Sequence, residues 1–67
     1  NIFIMTELQR LYTQMLNNLE QGLNDLDKFE DGNASAGTRV RKNMQDVKNL
    51  AQLIRVEVQD KKNAVAA

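Results

Sequence analysis

The strongest constraint on the fold is a single dense turn signal, Asp31-Gly32-Asn33, in a chain that contains no proline. Glycine suits the left-handed position that follows a helix, and asparagine is a favoured N-cap. Two helices joined by so short a turn lie antiparallel. We therefore predict one all-α domain over residues 1–67, folded as a two-helix hairpin. Its predicted segments are a helix over about residues 5–31, a turn at about 32–33 and a helix over about 34–63.

Apolar residues recur at helical spacing, three or four positions apart, on both sides of this turn. In the first helix the seam consists of Met5, Leu8, Tyr12, Met15, Leu19, Gly22, Leu26 and Phe29, flanked by Ile4, Leu11, Leu16 and Leu23. In the second it consists of Val40, Met44, Val47, Ala51, Ile54, Val58 and Val65, widened by Leu50. These stripes are broader than a two-stranded coiled coil needs and are typical of a helical bundle.

A lone hairpin covers only one side of each apolar stripe, and Leu53 and Val56 fall outside the main seam of the second helix. Each further Leu or Val side chain buried contributes about 1.5–3 kcal/mol. We therefore predict a homodimer in which two hairpins form a four-helix bundle; alternatively, Leu53 and Val56 are isolated exposed residues. The predicted core and dimer residues are Leu8, Tyr12, Met15, Leu19, Leu23, Leu26, Val47, Leu50, Leu53 and Ile54.

The formal net charge is zero, but the charges are divided between the two halves. Residues 1–33 carry two basic and six acidic side chains, whereas residues 34–67 carry seven basic and three acidic ones. A chain without net positive charge is not a simple polycation that coats nucleic acid. The pattern predicts an acidic first helix beside a basic second helix.

Four of the basic residues recur at intervals of seven along the second helix: Arg41, Lys48, Arg55 and Lys62. Such a row follows one side of a helix for about 31 Å at ~1.5 Å per residue. It suits a phosphate backbone, and Arg39 and Lys42 extend its start. The alternative is a row that pairs with the acidic helix and sets its antiparallel orientation. Interleaved aromatic residues, which are typical of single-strand binders, are missing.

Acidic residues crowd the end of the first helix and basic residues the start of the second, each opposite to the sign that its helix dipole favours. In an antiparallel hairpin the two clusters are neighbours, so they can neutralise each other. Small residues at Gly22, Ala34, Ala36 and Gly37 indicate close approach of the helices.

Cys, His, Pro and Trp are all absent. This excludes disulfides, the usual zinc sites and thiol or imidazole catalysis. Asp25 and Asp27 are two positions apart and do not face each other on a helix. Gly32-Asn33 is not a P-loop. No apolar run approaches the ~20 residues of a membrane span. We expect no enzyme activity, cofactor, metal, small-molecule substrate or membrane partner.

The stretch from Gly32 to Lys42, GNASAGTRVRK, resembles the G-N-x-x-A-G-x-R-x-R-K signature of bacterial linker-histone-like proteins. These are the chlamydial-type histone H-one-like nucleoid proteins and their short relatives. The resemblance extends from about Thr6 to Lys62. It implies DNA binding, chromosome compaction and self-association through the helical part. By matching position it assigns Arg39, Arg41 and Lys42 to the basic motif. The long basic tail of that family has no counterpart among these residues.

Two functions follow from these observations. The first is a small histone-like, DNA-binding nucleoid protein in the cytoplasm, whose dimer contacts phosphates independently of base sequence. Its candidate contact residues are Arg39, Arg41, Lys42, Lys48, Arg55 and Lys62. The second is a structural or oligomerisation module that binds protein partners and has no role with nucleic acids.

Overall fold

The computed structural model describes residues 5–66, which form two antiparallel helices and no strand. Helix α1 spans Glu7–Glu30, and helix α2 spans Ala34–Ala66. The all-α class predicted from the sequence is therefore confirmed. The hairpin measures 53 × 31 × 11 Å, so it is a plate only one helix thick. A plate of this kind leaves two broad faces in contact with solvent.

A capping box begins α1 at Glu7, two residues after the start predicted from the sequence. The Oγ1 atom of Thr6 accepts a hydrogen bond from the Gln9 amide at 3.1 Å, and Gln9 Oε1 accepts one from the Thr6 amide at 2.9 Å. Both bonds satisfy amides that have no partner within the helix. The side chain of Arg10 donates to Glu7 Oε1 at 2.6 Å, and this bond lowers the pKa of the Glu7 carboxyl group.

The turn combines a left-handed glycine with an asparagine cap. Gly32 has a φ of 107°, a region that side chains other than glycine rarely adopt. The amides of Gly32 and Asn33 donate to the carbonyl oxygens of Phe29 and Lys28, both at 3.0 Å. Asn33 Oδ1 then accepts from the Ala36 amide at 3.2 Å and caps α2. The chain thereby reverses within three residues.

The hairpin is held at its open end by a small apolar cluster. Leu11, Leu50 and Ile54 are buried, and Leu8 and Met15 pack against them. Towards the turn the contact between the helices is made by smaller groups. Ala36 is fully buried, Gly22 is buried, and Gly37 lies against the ring of Phe29. The helices therefore approach closely where α1 and α2 present small residues.

The structure divides the apolar stripe of α1 differently from the sequence-based expectation. Leu11, predicted at the edge of the stripe, is only 6% exposed, whereas Tyr12, predicted at its centre, is 58% exposed. The side of α1 that faces α2 passes through Leu8, Leu11 and Met15 and continues through Asn18 and Gly22. This line turns the larger apolar side chains of α1 away from the helix–helix contact.

The predicted core and dimer residues consequently fall into three groups. Leu50 and Ile54 are buried, and Leu8, Met15 and Val47 are half-buried. The exposed ones are Tyr12, Leu19, Leu23, Leu26 and Leu53. Ile4, which was expected to flank the stripe, lies outside the described residues.

Candidate nucleic-acid interface

The basic row, Arg41, Lys48, Arg55 and Lys62, lies on the exposed side of α2. The interval of seven residues, two helical turns, keeps the four side chains on one side of the helix. None of the four forms an ion pair with another residue of the 5–66 segment. Their charges are therefore open to solvent and available to an anionic partner.

Two other predicted contact residues have carboxylate partners. Arg39 Nε lies 2.9 Å from Asp25 Oδ1, in an ion pair that joins α2 to α1 across the hairpin. Lys42 Nζ lies 3.3 Å from Asp46 Oδ2, one turn along the same helix. The expected neutralisation at the turn thus takes place through Arg39 and Asp25. An exposed pair such as Lys42–Asp46 is worth little, so Lys42 can exchange its partner at small cost.

Lys61 is a basic residue that the periodicity did not single out. It is exposed and, within the described part of the chain, forms no ion pair. Together with Lys62 it borders a shallow groove lined by Leu8, Val58 and Val65. The adjacent lysines at 61 and 62 were the available signal, but Lys61 falls at a seam position of α2 and was treated as an interruption.

One broad face of the hairpin is apolar. Shallow grooves follow it from the turn to the open end, where side chains of α1 and α2 come together. We define this apolar face by Tyr12, Leu16, Leu19, Leu23, Leu26, Val40, Met44 and Val58. Arg41 borders it beside Leu26 and Val40, and Lys62 borders it beside Val58. The basic row is therefore the edge of the apolar face on the α2 side.

The opposite face is mainly polar. Two larger apolar residues, Leu53 and Val56, lie there beside Glu7, Arg10 and Glu57. They do not adjoin the apolar face, because Leu53 and Val56 come from the other side of α2. Polar residues of α1 such as Gln14 and Gln21 are exposed. The two broad faces of the plate therefore differ strongly in polarity.

Neither a metal site nor a membrane span occurs in the part of the chain that the structure describes. No three His, Cys, Asp or Glu side chains among these residues come together as a metal-binding group. Neither described helix combines the length and the apolar character required to cross a bilayer.

The fold and the site together define an all-helical hairpin with a solvent-exposed basic row along the edge of an apolar face. A family model described as Histone H1-like protein Hc1 matches residues 9–64. Because this match includes most of the chain, the protein belongs to that family, and the resemblance seen in the sequence is confirmed. The matched range contains the Gly32–Lys42 signature and the whole basic row. No curated protein and no solved structure matches the chain.

Proposed function

We propose that this chain is a DNA-binding nucleoid protein that acts as a homodimer and contacts phosphates independently of base sequence. One observation carries the proposal: Arg41, Lys48, Arg55 and Lys62 form a continuous row and have no ion-pair partner among residues 5–66. Membership of a histone H1-like family supports DNA as the anion. Packaging DNA requires no catalytic group, and the proposed place of action is the cytoplasmic nucleoid.

The spacing of the basic row suits a phosphate backbone rather than base edges. Neighbouring members are about 10.5 Å apart along the helix at ~1.5 Å per residue. Lys and Arg side chains on flexible stems can adjust over this distance to phosphates on either side of a groove. Contacts of this kind position a protein on DNA and carry no sequence information directly. We therefore expect similar affinity for unrelated duplexes.

Dimerisation compensates for the lack of net positive charge. A single hairpin carries equal numbers of basic and acidic residues, so its long-range attraction to DNA is weak. Two hairpins place two basic rows on one particle, and binding of the second row becomes an intramolecular event. The apolar face gives the hairpin a surface by which it can associate. Association and DNA binding are thus coupled in this proposal.

The test is a titration of a fluorescently labelled duplex, followed by anisotropy at several salt concentrations. If four phosphates are contacted, log K is expected to fall against log salt with a slope of about −3.6. Two duplexes of unrelated sequence should give the same curve. An absence of binding at low salt, or a strong preference for one sequence, would overturn the proposal.

The apolar face also favours a second candidate function, a structural module that binds another protein. This face would be occupied by a protein partner whether or not DNA binds. The module predicts normal self-association in sedimentation experiments without any affinity for a duplex. Sedimentation of the chain with and without a short duplex separates the two functions.

A further inference from the structure

We infer that a second copy of this chain covers the apolar face, with the turns of both hairpins at the same end of the resulting bundle. This inference rests on the homodimer of the proposed function and adds the surface and the orientation. It follows from three properties of the hairpin: the size of the apolar face, the charges along its two edges and the relative height of those charges.

The apolar face is large enough for a stable dimer. Helix α1 has 24 residues, which correspond to about 36 Å, and two packed helices are about 20 Å wide. The face therefore covers on the order of 700 Å², close to the ~800 Å² per partner of a standard specific interface. Apolar patches of this size on a soluble protein mark interaction sites. A second copy offers a matching face of the same dimensions.

The two long edges of the apolar face carry opposite charges. On the α2 side the edge is the basic row. On the α1 side it carries Glu20 and Asp27, both exposed and both outside the ion pairs formed within residues 5–66. Glu20 is two positions from both Asn18 and Gly22, which face α2, so it points away from that helix. The face is therefore acidic along one side and basic along the other.

A two-fold axis can bring two such faces together in two ways. With the axis parallel to the helices, α1 of one copy lies over α2 of the other, and the turns are at the same end. With the axis across the helices, α1 lies over α1, and the turns are at opposite ends. The first arrangement places an acidic edge beside a basic edge twice. The second places like charges side by side, which is unfavourable. Charge complementarity therefore selects the first arrangement.

Contacts within the hairpin give the relative height of these charges. Gly22 faces Asn43, and Asp25 pairs with Arg39, so Arg41 is level with the interval between these two contacts. In the same-end arrangement Arg41 comes between Glu20 and Asp27 of the second copy. Lys62 is level with the start of α1, far from those carboxylates. The orientation thus assigns Arg41 to the dimer interface and leaves the rest of the basic row, especially Arg55 and Lys62, to phosphates.

Spin labels provide the test, because the chain has no cysteine and each variant carries one label. Ser35→Cys marks the turn end, and Gln59→Cys marks the open end; both positions are exposed. Electron–electron dipolar spectroscopy on the dimer should give label separations of about 25 Å or less at both positions, the width of two helix layers. Separations of about 35 Å or more, the length of α1, would overturn the same-end orientation.

Sedimentation of the same labelled samples distinguishes this result from a failure of the proposed function. A dimer with long label distances overturns the orientation and leaves the homodimer intact. A monomer at every concentration overturns both. Duplex binding is measured separately and does not enter either readout.

Charge reversal tests the assignment of Arg41. Arg41→Glu should weaken self-association by about 3- to 10-fold, as expected for the loss of two exposed ion pairs per dimer. Arg41→Glu combined with Asp27→Lys should restore it. The matched control, Lys28→Glu, changes the charge equally at an exposed position of α1 away from the apolar face. Equal weakening by Arg41→Glu and Lys28→Glu would contradict the assignment.

Discussion

The side-chain amide of Asn43 donates from Nδ2 to the carbonyl oxygen of Asn18 at 2.6 Å and so joins the two helices across the hairpin. Its Oδ1 atom is buried against Gly22 and accepts no hydrogen bond from the described residues. A Cβ atom on residue 22 would overlap Asn43 Oδ1. Because a buried amide is tolerated only where its partner is within reach, this contact fixes the alignment of α1 against α2.

We predict that Gly22→Ala destabilises the hairpin although alanine is the better helix former. The favourable change in helix propensity is about 1 kcal/mol. The added methyl group displaces Asn43 from Asn18, and overpacking of this kind costs about 1–3 kcal/mol. The expected result is a lower free energy of unfolding in urea, followed by circular dichroism.

The control for this prediction is Gly22→Ala in an Asn43→Ala background. With the Asn43 amide removed, the methyl group no longer meets it, and the substitution should be neutral or stabilising by up to about 1 kcal/mol. The same loss of stability in both backgrounds would show that the two residues do not interact.

The core of the hairpin is expected to depend on Leu50 far more than on Leu53. Leu50 is 6% exposed and packs with Leu11 and Ile54, whereas Leu53 is 54% exposed on the polar face. Leu50→Ala should cost about 2–5 kcal/mol. Leu53→Ala should change the free energy of unfolding by no more than about 0.5 kcal/mol. Thermal unfolding of the two variants at equal protein concentration measures both values, and similar losses would contradict this core.

Stability should depend on pH through Glu7. The hydrogen bond and the charge of Arg10 lower the pKa of this carboxyl group in the folded chain. Glu7 therefore contributes stability above its unfolded pKa of about 4.3, and this contribution is lost as the pH falls through the lower folded value. The difference in Tm between the native chain and Glu7→Gln should be present at pH 7 and should disappear at strongly acidic pH. A difference that grows on acidification would have the wrong sign.

Self-association is expected to depend on the apolar face and not on the other broad face. Leu16 and Leu23 are 59% and 60% exposed and take no part in the buried contact between α1 and α2. Leu16→Gln with Leu23→Gln should shift the chain to monomer in sedimentation equilibrium, because apolar area is lost from the dimer interface. Leu53→Gln is the control on the opposite face. A variant of Leu53 that dissociates the dimer while the first variant does not would place the interface on the polar face.

The turn and the fold class could be predicted because local chemistry determines them. Gly32 supplies a positive φ and Asn33 supplies a cap, and both properties follow from one residue and its neighbours. The all-α class follows from apolar spacing in the same way. The basic row was also predictable, since a period of seven on one helix needs no tertiary information.

The rotation of each helix about its own axis could not be predicted in this way. Tyr12 and Leu11 are adjacent apolar residues, and only the contact with α2 determines which of them is buried. Asn18 and Asn43 are ordinary polar residues in the sequence, 25 positions apart, until the hairpin brings them together. The partners of Arg39 and Lys42 are also set by the alignment of the two helices and by rotamers, not by composition.

The central claim, that the basic row contacts phosphates, is tested most directly by the salt dependence of duplex binding in paired variants. Lys48→Gln with Arg55→Gln removes two charges per chain from the row, and Lys28→Gln removes an exposed charge elsewhere. The account predicts a slope of log K against log salt that is smaller by about 0.9 for each lost contact in the first variant. Lys28→Gln should retain the native slope. Equal slopes for the native chain and the Lys48/Arg55 variant would contradict the account.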